Sequence, residues 1–234
     1  MKRGFIRCVW GIYDNSHRLL ARRAKIDGDI KRIKECKFNE PFKVYVYGKD
    51  NFERLQKEGF DCFMVDECPN PFDLIKHQYR HKLELIKYAM ENDGYDEVVY
   101  MDWDCVPQKK LTDDFWDKCS QRAPIQGCFQ MYTRKKCCWR PFDQRKVING
   151  GMLYIRDKTI PRKAIEIWDT IPQDNDEPAW TKYIDGLMGG WDNSERCLKL
   201  FWDMYETPYC LLWNSSPWTR EQLDTKDKCF IHFI

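Results

Sequence analysis

The sequence predicts an α/β fold, with a mixed, mostly parallel central sheet flanked by helices in one domain over residues 1–234. Three observations predict it. Runs rich in β-formers alternate with segments of helical periodicity through the first half of the chain. The run Val98-Val99-Tyr100-Met101 is continuously apolar, as a strand covered on both faces must be. Acidic and aromatic residues recur where such runs end, the side on which open α/β sheets bind ligands.

Each element has its own signal. "FIRCVWGIYD" (Phe5–Asp14) alternates and reads as a first strand running into a loop. The basic segment Arg18–Lys37 is expected to be helical in part. "FKVYVYG" (Phe42–Gly48) is a second strand closed by its glycine. "DNFERLQKEG" follows as a helix, with Asp50 as cap and Gly59 as stop. Asp61–Asp66 is a short third strand. The segment Phe72–Asn92 carries apolar residues at helical intervals through Leu83, Ile86 and Met90. The fourth strand ends at Asp102. Later, Val147–Asp157 reads as a strand entered through Asn149-Gly150-Gly151, and "PRKAIEIWDTI" as a helix with proline at its first position. A glycine-rich turn leads to a helix from about Asn193, and "KCFIHFI" is a final strand. The halves divide near residue 106: 1–106 would bind a nucleotide and 107–234 an acceptor.

Composition narrows the function. A hydrophobic content of 43% with 15% aromatics is that of a globular chain, and no apolar run reaches membrane-span length. A net charge of +2 gives no bulk-charge case for nucleic acid. The twelve cysteines include no CxxC pair, which argues against structural zinc. The start "MKRGFIRCVWG" has no apolar signal core, so the expectation is a cytoplasmic protein with reduced thiols. The sequon at Asn214 is then expected to stay unmodified.

The chemistry concentrates at Asp102 and Asp104. Two carboxylates one residue apart at a buried strand end repel each other and resist desolvation unless something positive joins them. Hard oxygen donors suit Mg²⁺ or Mn²⁺, and such a cation would bridge a diphosphate. Trp10, Tyr13 and Asp14 beyond the first strand, with Asp66 beyond the third, face the same crevice. The Asn149 amide and the Gly150 backbone suit close approach of a sugar. Trp191, after Gly190, offers a face for stacking on a pyranose, beside the carboxylates of Asp192 and Glu195. Plain readings compete at each place: a solvated loop, a β-turn at Asn149, helix capping at Asp192, a core histidine at His232.

Asp102-Trp103-Asp104 after its apolar strand resembles the DxD motif of GT-A-fold glycosyltransferases. "HKLELIKYAM" upstream, "NGG" downstream and a late apolar-His-aromatic strand resemble, in that order, the glycogenin-like members. The resemblance implies a metal-dependent, retaining transfer from a nucleoside-diphosphate sugar, a UDP-sugar, to a glycan or glycoprotein hydroxyl. It implies Asp102, Asp104 and His232 as ligands of Mn²⁺ or Mg²⁺, and Lys82 on the donor with Trp103, Asn149 and Gly150. Asp192 or Glu195 would meet the reacting sugar, with Gly190 and Trp191 on the acceptor side. Small size and cysteine content are also similar to those of the small glycosyltransferases of large DNA viruses such as chlorella viruses. The chain departs from the pattern in two places. "ENDGYDE" lengthens the helix-to-strand connection, and the chain stops two residues after His232, where the family continues with a Gly- and Lys-bearing grip on the diphosphate. Either that grip is absent or the chain is part of a longer polypeptide. The alternatives are a sugar nucleotidyltransferase, against which "VWGIYDNSHR" has one glycine where a phosphate loop needs several, and an inactive sugar-binding module, which leaves the paired aspartates without a purpose.

Overall fold

The computed structural model describes residues 1–10, 27–65, 78–107, 110–111, 113–121, 123–131, 146–170, 176–187, 210–213 and 230–233. In chain order these form β1 (Arg3–Val9), a helix α1 over 27–35, β2 (Phe42–Val46), α2 (Lys49–Lys57), β3 (Cys62–Met64) and α3 (Gln78–Glu91). Then come β4 (Glu97–Met101), β5 (Cys105–Pro107), α4 (Phe115–Ser120), β6 (Ile125–Met131) and β7 (Lys146–Ile155). The last are α5 (Thr159–Thr170), α6 (Glu177–Leu187), β8 (Cys210–Trp213) and β9 (Phe230–Phe233).

Six strands make one sheet in the order β3-β2-β1-β4-β7-β6. β1, β2, β3 and β4 pair in parallel, while β7 runs antiparallel to both β4 and β6. The order turns back on itself at β1, whose neighbours are β2 on one side and β4 on the other. That is the switch point beyond which α/β sheets open a crevice. Because β7 is reversed, its entry end lies at the carboxyl end of β4, with Met101 opposite Met152. β7 already begins at Lys146, so Asn149-Gly150-Gly151 lies within the strand and not at its entry, and strand direction brings it toward the aspartates. β5, β9 and β8 form a second, three-stranded sheet, in which Cys105 faces His232.

All five residues of β4 are buried: Val98–Met101 as the continuous apolar run predicts, and Glu97 in an ion pair with Arg3. Its alternate side chains feed two cores. Val98 and Tyr100 join Ile6, Leu83, Ile86, Leu153 and Trp180 on the face covered by α3, α5 and α6. Val99 and Met101 join Phe5, Phe115 and Met152 on the other.

Several boundaries differ from expectation. α2 starts at Lys49 after Gly48, whose φ of 91° turns the chain out of β2 and whose carbonyl accepts from Phe52. Asp50 thus lies in the first turn and is not the cap, where its charge still complements the helix amino end. α5 begins at Thr159, whose amide donates to the Asp157 carboxylate at 2.8 Å, so Pro161 is third in the helix and not first. The expected strand over Phe5–Asp14 spans Arg3–Val9, and the expected helix over Phe72–Asn92 is described from Gln78.

The carboxyl end of α2 was legible. Gly59 has φ 87°, its amide bonds Gln56 O at 2.9 Å, and Phe60 N bonds Leu55 O at 3.1 Å, the paired bonds of a glycine-terminated helix. Nothing lies within 4 Å of the position a Cβ would take there, so Gly59→Ala strains backbone alone. Its expected cost is about 1 kcal/mol, or roughly 2–4 °C in thermal unfolding midpoint. An unchanged midpoint by calorimetry would refute the left-handed cap.

Candidate active site

The site is built where β4 ends. Asp102 N–H donates to Gly151 O at 2.7 Å, fastening the strand end to the glycines of β7. Cys105 N–H then donates to Asp102 O at 3.0 Å, closing a turn that carries both aspartates. Arg7, on β1 and fully buried, reaches beneath this turn. Its Nη1 donates to Asp102 O and its Nη2 to Cys105 O, the latter at 2.8 Å. The guanidinium stacks 4.9 Å from the Phe42 ring centroid and 5.8 Å from that of Trp103. Burial lowers its pKa, against which Cys105, Tyr100, Asp102 and Asp104 act. A buried arginine bonded to two carbonyls fixes the turn and sets positive charge behind its carboxylates.

Lys82 arrives from α3. It is 1% exposed, so it is no part of the solvated face of that helix. Its Nζ lies 3.3 Å from Asp102 Oδ1 and 3.0 Å from Asp176 Oδ2, and 4.7 Å over the Tyr100 ring. Burial alone would depress its pKa, but Asp102 and then Asp176 outweigh that and hold the ammonium above the ordinary lysine range. The Tyr100 hydroxyl donates to Asp102 Oδ1 as well. Burial, then the charge of Asp102, pushes that phenol well up, so it remains a neutral donor. Cys8, beside the same pair, is pushed well up by burial, which removes it as a thiolate nucleophile.

Asp176 precedes α6 and accepts the first helical bonds through its carbonyl, from Ala179 at 3.1 Å and Trp180 at 3.3 Å. Its carboxylate goes instead to Lys82 and to Trp180 Nε1. Glu177 follows, and its Oε1 accepts from Gly150 N at 3.4 Å. Position 150 has no room for a side chain: a Cβ there would collide with Asp176 Oδ2 and stand 3.0 Å from Lys82 Nζ. Glycine is needed here for close approach of an ion pair to the strand.

The predicted residues thus fall into three groups. Lys82, Asp102, Asp104 and Gly150 converge at the strand end, with the Asp102 side chain 30% exposed and Asp104 largely buried. Asn149 lies in β7 beside Gly150. The backbone of His232 pairs with Cys105, one residue past Asp104. Trp10 stands just beyond β1 and packs edge-on against Tyr79 at 6.0 Å between centroids. Trp103 is placed differently from expectation. It is buried, donates its indole N–H to Cys8 O at 3.0 Å, and packs among Val9, Val44 and Leu55, because the turn sends it to the face opposite Asp102. Tyr13, Asp14, Asp66, Gly190, Trp191, Asp192 and Glu195 lie outside the described residues. Among the described residues, no three ligating side chains converge as a metal cluster. Sequence reasoning missed Arg7, Asp176 and Glu177. An arginine inside "FIRCV" and an Asp-Glu-Pro at a helix start were the available signals.

No protein-family model matches the chain, and no curated protein matches it in sequence. Solved structures do match in shape. The galactosyltransferase LgtC, in complex with donor and acceptor sugar analogs, superposes with a TM-score of 0.50 at 15% identity, covering 97% of this chain and 86% of its own. A glycosyltransferase involved in glycosylation of the major capsid of PBCV-1 gives a TM-score of 0.50 at 12% identity, covering 98% and 93%. The mixed, mostly parallel sheet with its flanking helices is the GT-A-type fold of these glycosyltransferase structures. No described helix is long and apolar enough to cross a membrane.

Removing the ammonium tests the ion-pair core. Lys82→Met leaves two carboxylates facing each other without their shared cation, at an expected cost of about 3–5 kcal/mol near neutral pH. The sign of the pH dependence follows from the raised pKa of Lys82. The contribution is complete below the unfolded lysine value of about 10.4 and is lost as pH rises toward the folded one. Denaturant melts of wild type and variant should therefore differ by a constant amount up to about pH 10 and converge above it. A gap that narrowed between pH 6 and 9 would contradict the arrangement.

Proposed function

We propose that the chain is a metal-dependent glycosyltransferase. It would move a sugar from a nucleoside-diphosphate sugar, a UDP-sugar, to a hydroxyl of a glycan or glycoprotein acceptor, with retention at the anomeric carbon. The observation that carries this reading is the meeting of Lys82, Asp102, Asp176 and Gly150 beyond β4, at the switch point of a sheet whose fold is that of sugar-transferring enzymes.

Asp102 and Asp104 supply hard oxygen donors, and strand pairing sets the backbone of His232 against the same turn, so the residues suit Mn²⁺ or Mg²⁺. Held by these three, the cation would neutralise charge gathering on the departing diphosphate. The chain's own groups do the rest. Arg7 keeps the turn in one shape, so the carboxylates need no rearrangement when the donor arrives. Lys82 would set positive charge behind the diphosphate's side of the crevice through its pairing with Asp102. Trp10, with Tyr13, Asp14 and Asp66, would hold base and ribose, and Asn149 with Gly150 the transferring sugar. Asp192 or Glu195 would face the reacting centre, with Gly190 and Trp191 under the acceptor. Residues 1–106 would then form the nucleotide-binding half and 107–234 the acceptor half of one domain.

The decisive assay offers UDP-, GDP- and dTDP-sugars with Mn²⁺ and follows release of free diphosphate. Asp104→Ala should abolish metal-dependent release while the circular dichroism spectrum stays that of wild type. Undiminished wild-type turnover in excess chelator would overturn the metal role. The proton spectrum of the product's anomeric position reads the stereochemistry directly.

Asp192 separates a reacting carboxylate from a capping one. If it meets the sugar, Asp192→Asn keeps shape and loses charge, and kcat should fall roughly a hundredfold with donor Kd little changed. If it only caps the following helix, asparagine caps as well and kcat should hardly move. An unchanged kcat would pass the role to Glu195.

A further inference from the structure

Asp176 Oδ2 accepts from two buried donors at once: Lys82 Nζ at 3.0 Å and the indole Nε1 of Trp180 at 2.9 Å. Trp180 is fully buried, one turn into α6, within the apolar core that also holds Leu83 and Tyr100. A buried indole N–H must find an acceptor, and here it is given to a carboxylate already engaged by an ammonium. A carboxylate gripped by one cation alone can swing with it. With a second donor fixed in the core, Asp176 is held in one place, and Lys82 is shared between it, at 3.0 Å, and Asp102, at 3.3 Å.

This matters because Asp102 has two tasks. It pairs with Lys82, and on the proposed reading it also ligates the cation that comes with the donor. An ammonium drawn fully onto Asp102 would compete for the same oxygens. We propose that Trp180 is a positioning residue: by fixing Asp176 it keeps Lys82 shared between two carboxylates, so that the ammonium is not drawn wholly onto Asp102 and competes less with the metal–donor complex. The inference rests on the glycosyltransferase reading. Trp180 touches no reacting group in this scheme and acts through Asp176 and Lys82 alone.

The test is Mn²⁺ binding by the full chain in the presence of UDP, followed by the electron paramagnetic resonance of free Mn²⁺. Trp180→Phe keeps an aromatic ring in the core and removes the donor. It should raise the Kd for Mn²⁺ about tenfold, the size expected for a hydrogen bond to a charged group. In a Lys82→Met background, where no ammonium needs holding, the same change should shift that Kd less than about twofold. A merely structural role would lower the melting temperature and leave Mn²⁺ affinity alone, and that result overturns the proposal. So does an equal loss in the presence and absence of Lys82. Should Trp180→Phe fail to fold, Asp176→Asn with Trp180 intact must weaken Mn²⁺ binding in the same direction, and unchanged affinity there is equally fatal. A wild-type protein that binds no Mn²⁺ with UDP would instead bring down the metal-dependent reading itself, a result distinct from tight wild-type binding insensitive to Trp180.

Discussion

The buried ammonium of Lys82 is the interaction to which the rest of this molecule is fitted. A charge with almost no solvent contact survives only if partners replace its water, and those partners come from two separate elements: Asp102 from the end of β4 and Asp176 from the start of α6. Neither reaches Lys82 unless α3 lies across the sheet, α6 docks over β7, and β7 offers a position without a side chain. Gly150 is that position. The cluster is therefore complete only when α3, α6 and the sheet pack in this way.

Arg7 gives the site a second fixed cation, and the two cations divide the work. Arg7 bonds carbonyls and so governs the course of the backbone from Asp102 to Cys105. Lys82 bonds carboxylates and so governs side-chain direction. With Tyr100 donating to the same carboxylate, Asp102 is oriented before any ligand arrives. Donors set in advance cost no reorganisation at the moment charge moves, which is the main physical advantage a folded site has over water.

What could be read from the sequence is what depends on neighbours along the chain. The apolar run of β4, the aspartates at its end, the lysine on the preceding helix and the glycine stop of α2 are local patterns, and each is where the pattern puts it. The partners of those residues are not local. Arg7 meets Asp102 across 95 positions and Lys82 meets Asp102 across 20, and no periodicity announces either contact. Trp103 shows the same limit from the other side. The resemblance implied a donor contact for it, yet a single turn carries it to the opposite face, where its indole serves the core. β5 and β8 are only three and four residues long and owe their existence to pairing with β9, so propensity alone could not find them.

The reversed direction of β7 has a consequence for synthesis. Until residues 146–155 leave the ribosome, β4 has β1 on one side and lacks β7 on the other, its second partner among the described strands. The nascent chain would present a strand edge with four consecutive apolar residues, Val98–Met101, of the kind that recruits other strands. The residue after that edge is Asp102, and Asp104 follows closely. Negative charges at the tip of an open strand discourage a second copy from pairing in register. Asp102 and Asp104 would thus also act as gatekeepers against aggregation while the sheet waits for its missing strand.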